Sequence, residues 1–275
     1  MLKSSRTGHP TTPFFRSENN TMRRLVLTLL VTGLIAGASR DAAAQTRAWD
    51  DRVYLNVGFG VESGTSALAD TRTFLIYDET GTLASSADYT SGSLFDVGIG
   101  FRVWRNLSAG VSYHQEQNTA DIKLTGSVPH PVFFNQPRSF SVIAGGEAFR
   151  KEKAVHVQLG WMLPIADKLD VLLFGGPSWF RLEQPTVDEV RIADQSSPFL
   201  QVTVNPTVVI RKKSPVGFNV GADAAYMLWQ NDSVRVGAGV FFRYAVAKTS
   251  VLLLSTEQST DVGGLQIGFG GRLRF

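Results

Sequence analysis

The last thirteen residues, G-G-L-Q-I-G-F-G-G-R-L-R-F from Gly263 to Phe275, constrain the fold more than any other stretch. Leu265, Ile267, Phe269, Leu273 and Phe275 fall on one face of an extended strand, and Gln266, Gly268, Gly270, Arg272 and Arg274 fall on the other. A period of two excludes a helix. An apolar face opposite one that carries arginines suits a closed barrel in lipid, apolar toward the acyl chains and polar toward a lumen.

The same alternation recurs along the chain and predicts eight strands, at about 52–62, 93–104, 107–118, 153–163, 169–182, 215–228, 233–245 and 262–275. In the sixth, Val216, Phe218, Val220, Ala222, Ala224 and Tyr226 point outward, and Gly217, Asn219, Gly221, Asp223 and Ala225 inward. The connections alternate long and short. In a membrane barrel short turns are periplasmic and long loops external. With the first strand running outward, the turns at Arg105-Asn106, Ile165–Lys168 and Gln230-Asn231-Asp232 all land on the periplasmic side. The expected fold is therefore all-β: an eight-stranded antiparallel up-and-down transmembrane barrel over residues 45–275. Within the first long insert, Thr71–Tyr77 and Thr82–Tyr89 flank Asp78-Glu79-Thr80-Gly81 as a hairpin above the membrane. Prolines bar a central strand between Val128 and Pro137, and Gly175-Gly176-Pro177 is expected to bend the fifth strand.

Residues 1–44 read as an N-terminal extension and a signal peptide. Met22-Arg23-Arg24, the apolar run Leu25–Ala36 and the small residues to Ala44 give its three parts, with Met22 as the expected start and cleavage after Ala44. The run is shorter than the roughly 20 residues a transmembrane helix needs. This leader also distorts the charge. It holds six Lys/Arg against Glu18 and Asp41, a net of +4, which leaves the rest of the chain at −1 within the whole-chain +3. Nucleic-acid binding thus has no compositional support. A chain without cysteine has neither a disulfide framework nor a thiolate metal site. Mean hydropathy near zero is what alternating strands produce.

With its leader, glycine-rich alternating strands, the Arg105-Asn106 turn into Leu107 and the Gly263–Phe275 terminus, the chain resembles the small eight-stranded outer-membrane barrels of the OmpA, OmpX and OmpW kind, the outer-membrane protein β-barrel domain family. The resemblance implies a place in the cell outer membrane of a Gram-negative bacterium, beside lipopolysaccharide. It also implies that Phe269, Leu273 and Phe275 form the signal read by the barrel assembly machinery. The peptidoglycan-binding domain that follows the barrel in OmpA has no counterpart in this sequence. These motifs are architectural and are shared by barrels of many functions.

Inward alternation gathers a polar network of Asp96, Arg102, His156, Asp223, Arg235, Arg243 and Arg272 in the lumen. An eight-stranded barrel is only just wide enough for its own side chains, so the inward glycines are read as room for large neighbours rather than for a ligand. By height, Arg243 is expected to meet Asp96 and Arg235 to meet Asp223, closing the axis. Lys151, Lys153, Arg211, Lys212 and Lys213, where strands meet long loops, are candidates for contact with lipopolysaccharide phosphates. Phe133-Phe134 in the proline-rich segment is either a lid over an entry or an ordinary packed loop.

Two classes of function compete. One is a non-enzymatic barrel acting as a structural or surface-contact component, or as a narrow passage for small or apolar solutes. The other is a lipid-modifying enzyme. Eight-stranded barrels include a lipid A deacylase that uses a His-Ser pair, so Ser112 and His114 are weighed as such a pair. Both face the lumen by alternation, whereas a deacylase needs them on the lipid side, so the first class is preferred. No catalytic residue, cofactor or metal ligand is assigned, because no His/Asp/Glu spacing reads as a metal motif. The sequence leaves the oligomeric state open.

Overall fold

A computed structural model describes residues 49–63, 66–89, 92–144, 149–193, 196–254 and 256–275. The expected signal peptide and its cleavage point lie outside the described residues. The strands are β1 (Val53–Ser63), β2 (Ser66–Ile76), β3 (Glu79–Tyr89), β4 (Gly92–Trp104), β5 (Leu107–Val128), β6 (Arg138–Ala144), β7 (Phe149–Ala166), β8 (Leu169–Ala193), β9 (Thr203–Lys213), β10 (Val216–Gln230), β11 (Arg235–Leu253), β12 (Thr256–Val262) and β13 (Leu265–Arg274). Eight of them close a ring, in the order β1-β4-β5-β7-β8-β10-β11-β13, with β13 pairing back onto β1. All pairings in the ring are antiparallel, and closure leaves no free edge inside lipid.

Side chains sort between the faces as the period of two requires. On β13, Gln266, Arg272 and Arg274 are buried while Leu265, Ile267 and Phe269 are exposed, and Phe59, Phe101, Val220 and Phe242 add to the apolar exterior. Trp161, Tyr226 and Trp229 ring the lower end, and Trp179 and Tyr244 the upper. The three short connections fall at one end. Arg105 takes a positive φ of 47° in the first, and the Asn231 carboxamide oxygen accepts from the Ser233 and Val234 amides at 2.9 and 2.7 Å in the third. In β8 the ladder to β7 lapses between Ser178 and Gly175, where Pro177 has no N–H to give.

The long connections are not loops. Each is a β-hairpin that continues the barrel upward: β2–β3, upper β5 with β6, upper β8 with β9, and upper β11 with β12. The β2–β3 turn is at Tyr77-Asp78, both at positive φ (53° and 58°) as a two-residue hairpin demands, which is a step earlier than the sequence suggests. The prolines after Val128 sit at the β5–β6 tip, outside the ladder. A single strand shows how the two storeys join. Along β5 the inward residues pass from Ser108, Ser112, His114 and Glu116 to Ile122 and Leu124, while the outward ones pass from Val111 and Tyr113 to Gln115, Gln117 and Lys123. Polarity inverts where lipid gives way to water. Above that level Leu68, Leu83, Tyr89, Ile122, Leu124, Val187 and Leu253 pack into one apolar core that fills the upper mouth.

Candidate functional site

Among the described residues most buried charged groups lie in the barrel interior, in layers that rise from the mouth at the short turns. Trp49, buried beneath the barrel, packs with Tyr54, Met162, Leu172 and Phe174. Its indole N–H donates to Asp51 at 2.8 Å, and Arg102 donates to its carbonyl oxygen. The alternation pattern begins only at Val53 and gave no sign of this cap. Arg235 also belongs to this level. It is held by Asp51 and, at 3.0 Å, by Asp170.

The expected Arg235–Asp223 pair is therefore not formed. In the β10–β11 hairpin Arg235 stands opposite Gln230 beside the turn, whereas Asp223 stands opposite Phe241, well up the same hairpin, so the two lie at different heights. Asp223 is instead bound by Arg272, whose Nε lies 2.9 Å from both carboxylate oxygens, with Arg274 at 3.9 Å. Small residues make the space: a Cβ on Gly239 would meet Arg272 Nε at 3.0 Å. Arg274 lies over the Tyr54 ring and donates to Asn56 at 2.7 Å.

One step higher, Arg243 donates to Asp96 at 2.7 Å and to Gln266 at 3.2 Å, flanked by the Phe174 and Phe241 rings. Here the sequence-derived partners do meet. Gln158 donates to Asn219 at 3.0 Å, and Asn219 donates to Gly176 O and Ser178 Oγ at 2.8 and 2.9 Å. Between these groups lies a cavity of ≈ 20 Å³, room for a single water molecule, lined by Asp96, Ser112, Gln158, Arg243 and Arg272. His156 connects to Ser178 Oγ and to His114, each at 2.7 Å. Ser112 and His114 are both buried toward the lumen, away from any lipid substrate.

The uppermost polar layer went unread in sequence. Glu62 accepts from Gln266 at 2.7 Å and shares a hydrogen bond with Glu116. Glu116 stands directly opposite Glu152 on the neighbouring strand. Arg150 donates to Glu152 at 3.3 Å and to the Asp261 carbonyl at 3.2 Å, and lies against the Tyr89 ring. The Tyr89 hydroxyl in turn donates to Pro185 O at 3.2 Å and accepts from Gln184 at 3.0 Å. Residues Glu62, Glu116 and Glu152 sit on three different strands, so no local motif could have marked them.

On the outside, the five basic candidates separate. Lys151 and Lys153 on β7 and Lys212 on β9 share the outer face with Arg181, just above Trp179. Glu183 is their companion carboxylate, 3.4 Å from Lys212 and 3.9 Å from Arg181. Arg211 and Lys213 alternate to the opposite face, and Arg211 is taken by Asp188. Among the aromatic residues of the proline-rich tip, Phe133 packs on His130 with ring centres 4.9 Å apart, while Phe134 stands out in solvent. Phe269 and Phe275 are exposed and Leu273 half-buried on the outer face of β13.

No protein-family model matches the chain, and no curated protein matches it in sequence. Among solved structures it is similar to neisserial surface protein A (NspA), with 13% identity, 81% of this chain and 97% of that one covered, and a TM-score of 0.38. It is also similar to the outer membrane protein OprG from Pseudomonas aeruginosa, with 10% identity, 82% and 96% covered, and a TM-score of 0.44. Both scores lie under 0.5, and the architecture of this chain stands on its own closed ring, apolar exterior and polar interior.

Proposed function

We propose that this chain is a non-enzymatic outer-membrane barrel with a shut lumen, acting as a structural and surface-contact component through the hairpins that rise above the membrane. The supporting observation is the pair of arginine–carboxylate bridges that span the interior, Arg243 to Asp96 and Arg272 to Asp223. Such pairs persist out of water only when their hydrogen bonds are satisfied, so they hold the axis closed rather than lining a path. Trp49 below and the apolar core around Leu124 above add two further stoppers. This favours surface contact over a passage for solutes. A lipid-modifying role finds no support, since Ser112 and His114 face the plug.

Planar-bilayer recording of the purified protein tests the reading. Steady conductance is expected to be absent from the unmodified barrel and to appear, if anywhere, in an Asp96→Ala/Arg243→Ala double variant. A large, steady conductance in the unmodified protein would refute the shut lumen and restore a pore.

A further inference from the structure

Three buried donors from three strands converge in the upper lumen: Glu62 of β1, His114 of β5 and Glu152 of β7. One ligand atom from each lies within 4.8 Å of the others, and His114 Nε2 is 3.9 Å from Glu152 Oε1. Two independent observations show that protein groups alone leave this cluster incomplete. Glu152 Oε1 is buried in the cluster and makes no hydrogen bond. Glu116 and Glu152 are directly cross-strand, an arrangement that repels when both are ionised.

The histidine is also prepared. Its Nδ1 is 2.7 Å from His156 Nε2, and His156 Nδ1 is 2.7 Å from Ser178 Oγ. If His114 donates to His156, and His156 to Ser178, the lone pair of His114 Nε2 is left facing the two carboxylates, with the Gln266 amide nitrogen 3.5 Å away. Metal-bound histidines are generally fixed in this way through their other ring nitrogen. We propose that Glu62, His114 and Glu152 form a site for one divalent first-row transition ion, with two carboxylate oxygens and one imidazole nitrogen as ligands. That donor set suits zinc or manganese better than calcium. Bond lengths of about 2.0 to 2.2 Å require the three side chains to close in by roughly an ångström, within reach of Glu rotamers. The ion would tie β1, β5 and β7 together immediately beneath the apolar upper core. This assignment goes beyond the shut-lumen reading and does not depend on it.

The experiment uses the full exported protein in detergent, stripped with EDTA and titrated with zinc chloride by calorimetry, with bound metal counted by elemental analysis. One equivalent is expected. His114→Gln and Glu152→Gln should abolish stoichiometric uptake, His156→Gln should weaken it about 10- to 100-fold, and His130→Gln should leave it unchanged. Failure of the unmodified protein to bind, retention by Glu152→Gln, or equal loss in His130→Gln would overturn the site. Because a lumen variant can also fail to assemble, the zinc-loaded unmodified protein gives a second reading by X-ray absorption. One imidazole among oxygen donors is expected there, and a spectrum without imidazole would overturn the assignment.

Discussion

Arg272 of β13 grips Asp223 of β10 with its Nε 2.9 Å from both carboxylate oxygens, and Arg274 adds a second cation 3.9 Å away. Asp223 is thus the counter-ion of Arg272, while Arg274 lies also in the field of Asp170 and Asp51. Replacing Asp223 with alanine leaves the buried Arg272 without its counter-ion, and breaking a buried pair in this way costs about 3 to 5 kcal/mol. Asp188→Ala removes an exposed partner of Arg211 and should cost about 1 kcal/mol or less. Urea unfolding of the two variants in lipid vesicles, followed by tryptophan fluorescence, is expected to separate them. Equal midpoints would show that the lumen bridge contributes little.

Val220 faces lipid between the upper row at Trp179 and the lower row at Tyr226. Val220→Arg near the midplane should cost about 2 to 4 kcal/mol. Its inward neighbour Gly221 looks in sequence like a permissive control, but a Cβ there would strike the Phe242 carbonyl and lie 2.7 Å from the Phe174 ring. Serine at 221 is therefore expected to impair assembly as well. Gly271 supplies the proper control, because nothing lies within 4 Å of its Cβ position. Gly271→Ala should assemble normally, as judged by the heat-dependent electrophoretic shift of a folded barrel.

Gly270, one residue earlier, offers a sharper contrast. A Cβ there would press on the Val57 carbonyl and lie 2.6 Å from Gly58 Cα, at the β13–β1 junction that closes the ring. Gly270→Ala should destabilise by about 1 to 3 kcal/mol through overpacking. Parallel refolding yields of the Gly270→Ala and Gly271→Ala proteins would decide it, and indistinguishable yields would count against the tight closure.

Of the outer cations Lys151, Lys153, Arg181 and Lys212, Arg181 and Lys212 pair with Glu183, and Lys151 stands opposite it across the strands. Lipopolysaccharide phosphates at that height would make charge-assisted contacts with them. Native mass spectrometry should show less retained lipopolysaccharide after all four are changed to Gln, and no change for Arg211→Gln, whose partner is Asp188. Undiminished retention in the fourfold variant would dismiss the contact.

How far the sequence reached follows from what alternation encodes. It says which face a residue takes, so Asp96 and Arg243 could be placed inward, and with Phe95 and Phe242 outward the ring of eight was legible. It does not say which inward residues meet across the axis; Arg235, beside its turn, went to Asp170 and to Asp51, which precedes the first strand and so lies outside the alternation. The hairpin of β2 and β3 was legible within the first insert, whereas the other three upper hairpins were not, because polarity inverts within a strand. On β5 the apolar residues move from the outer face at Tyr113 to the inner face at Ile122, so a search for apolar residues in one phase loses the strand halfway.

The inverted storey also differs from the ring in how it is stitched. Above the membrane the described ladders join β2, β3, β5 and β6 into one sheet, β8 with β9 into a second, and β11 with β12 into a third. Among the described residues no ladder joins one of these three to the next. They lean on a shared apolar core and on side-chain contacts such as Gln258 to the Ala69 carbonyl. What joins them across the seams is therefore buried apolar area and a few side-chain bonds such as Tyr89 to the Pro185 carbonyl, not rungs of a ladder. Amide protons along these seams should exchange with deuterium long before those of β1 and β13, whose ladders close the ring.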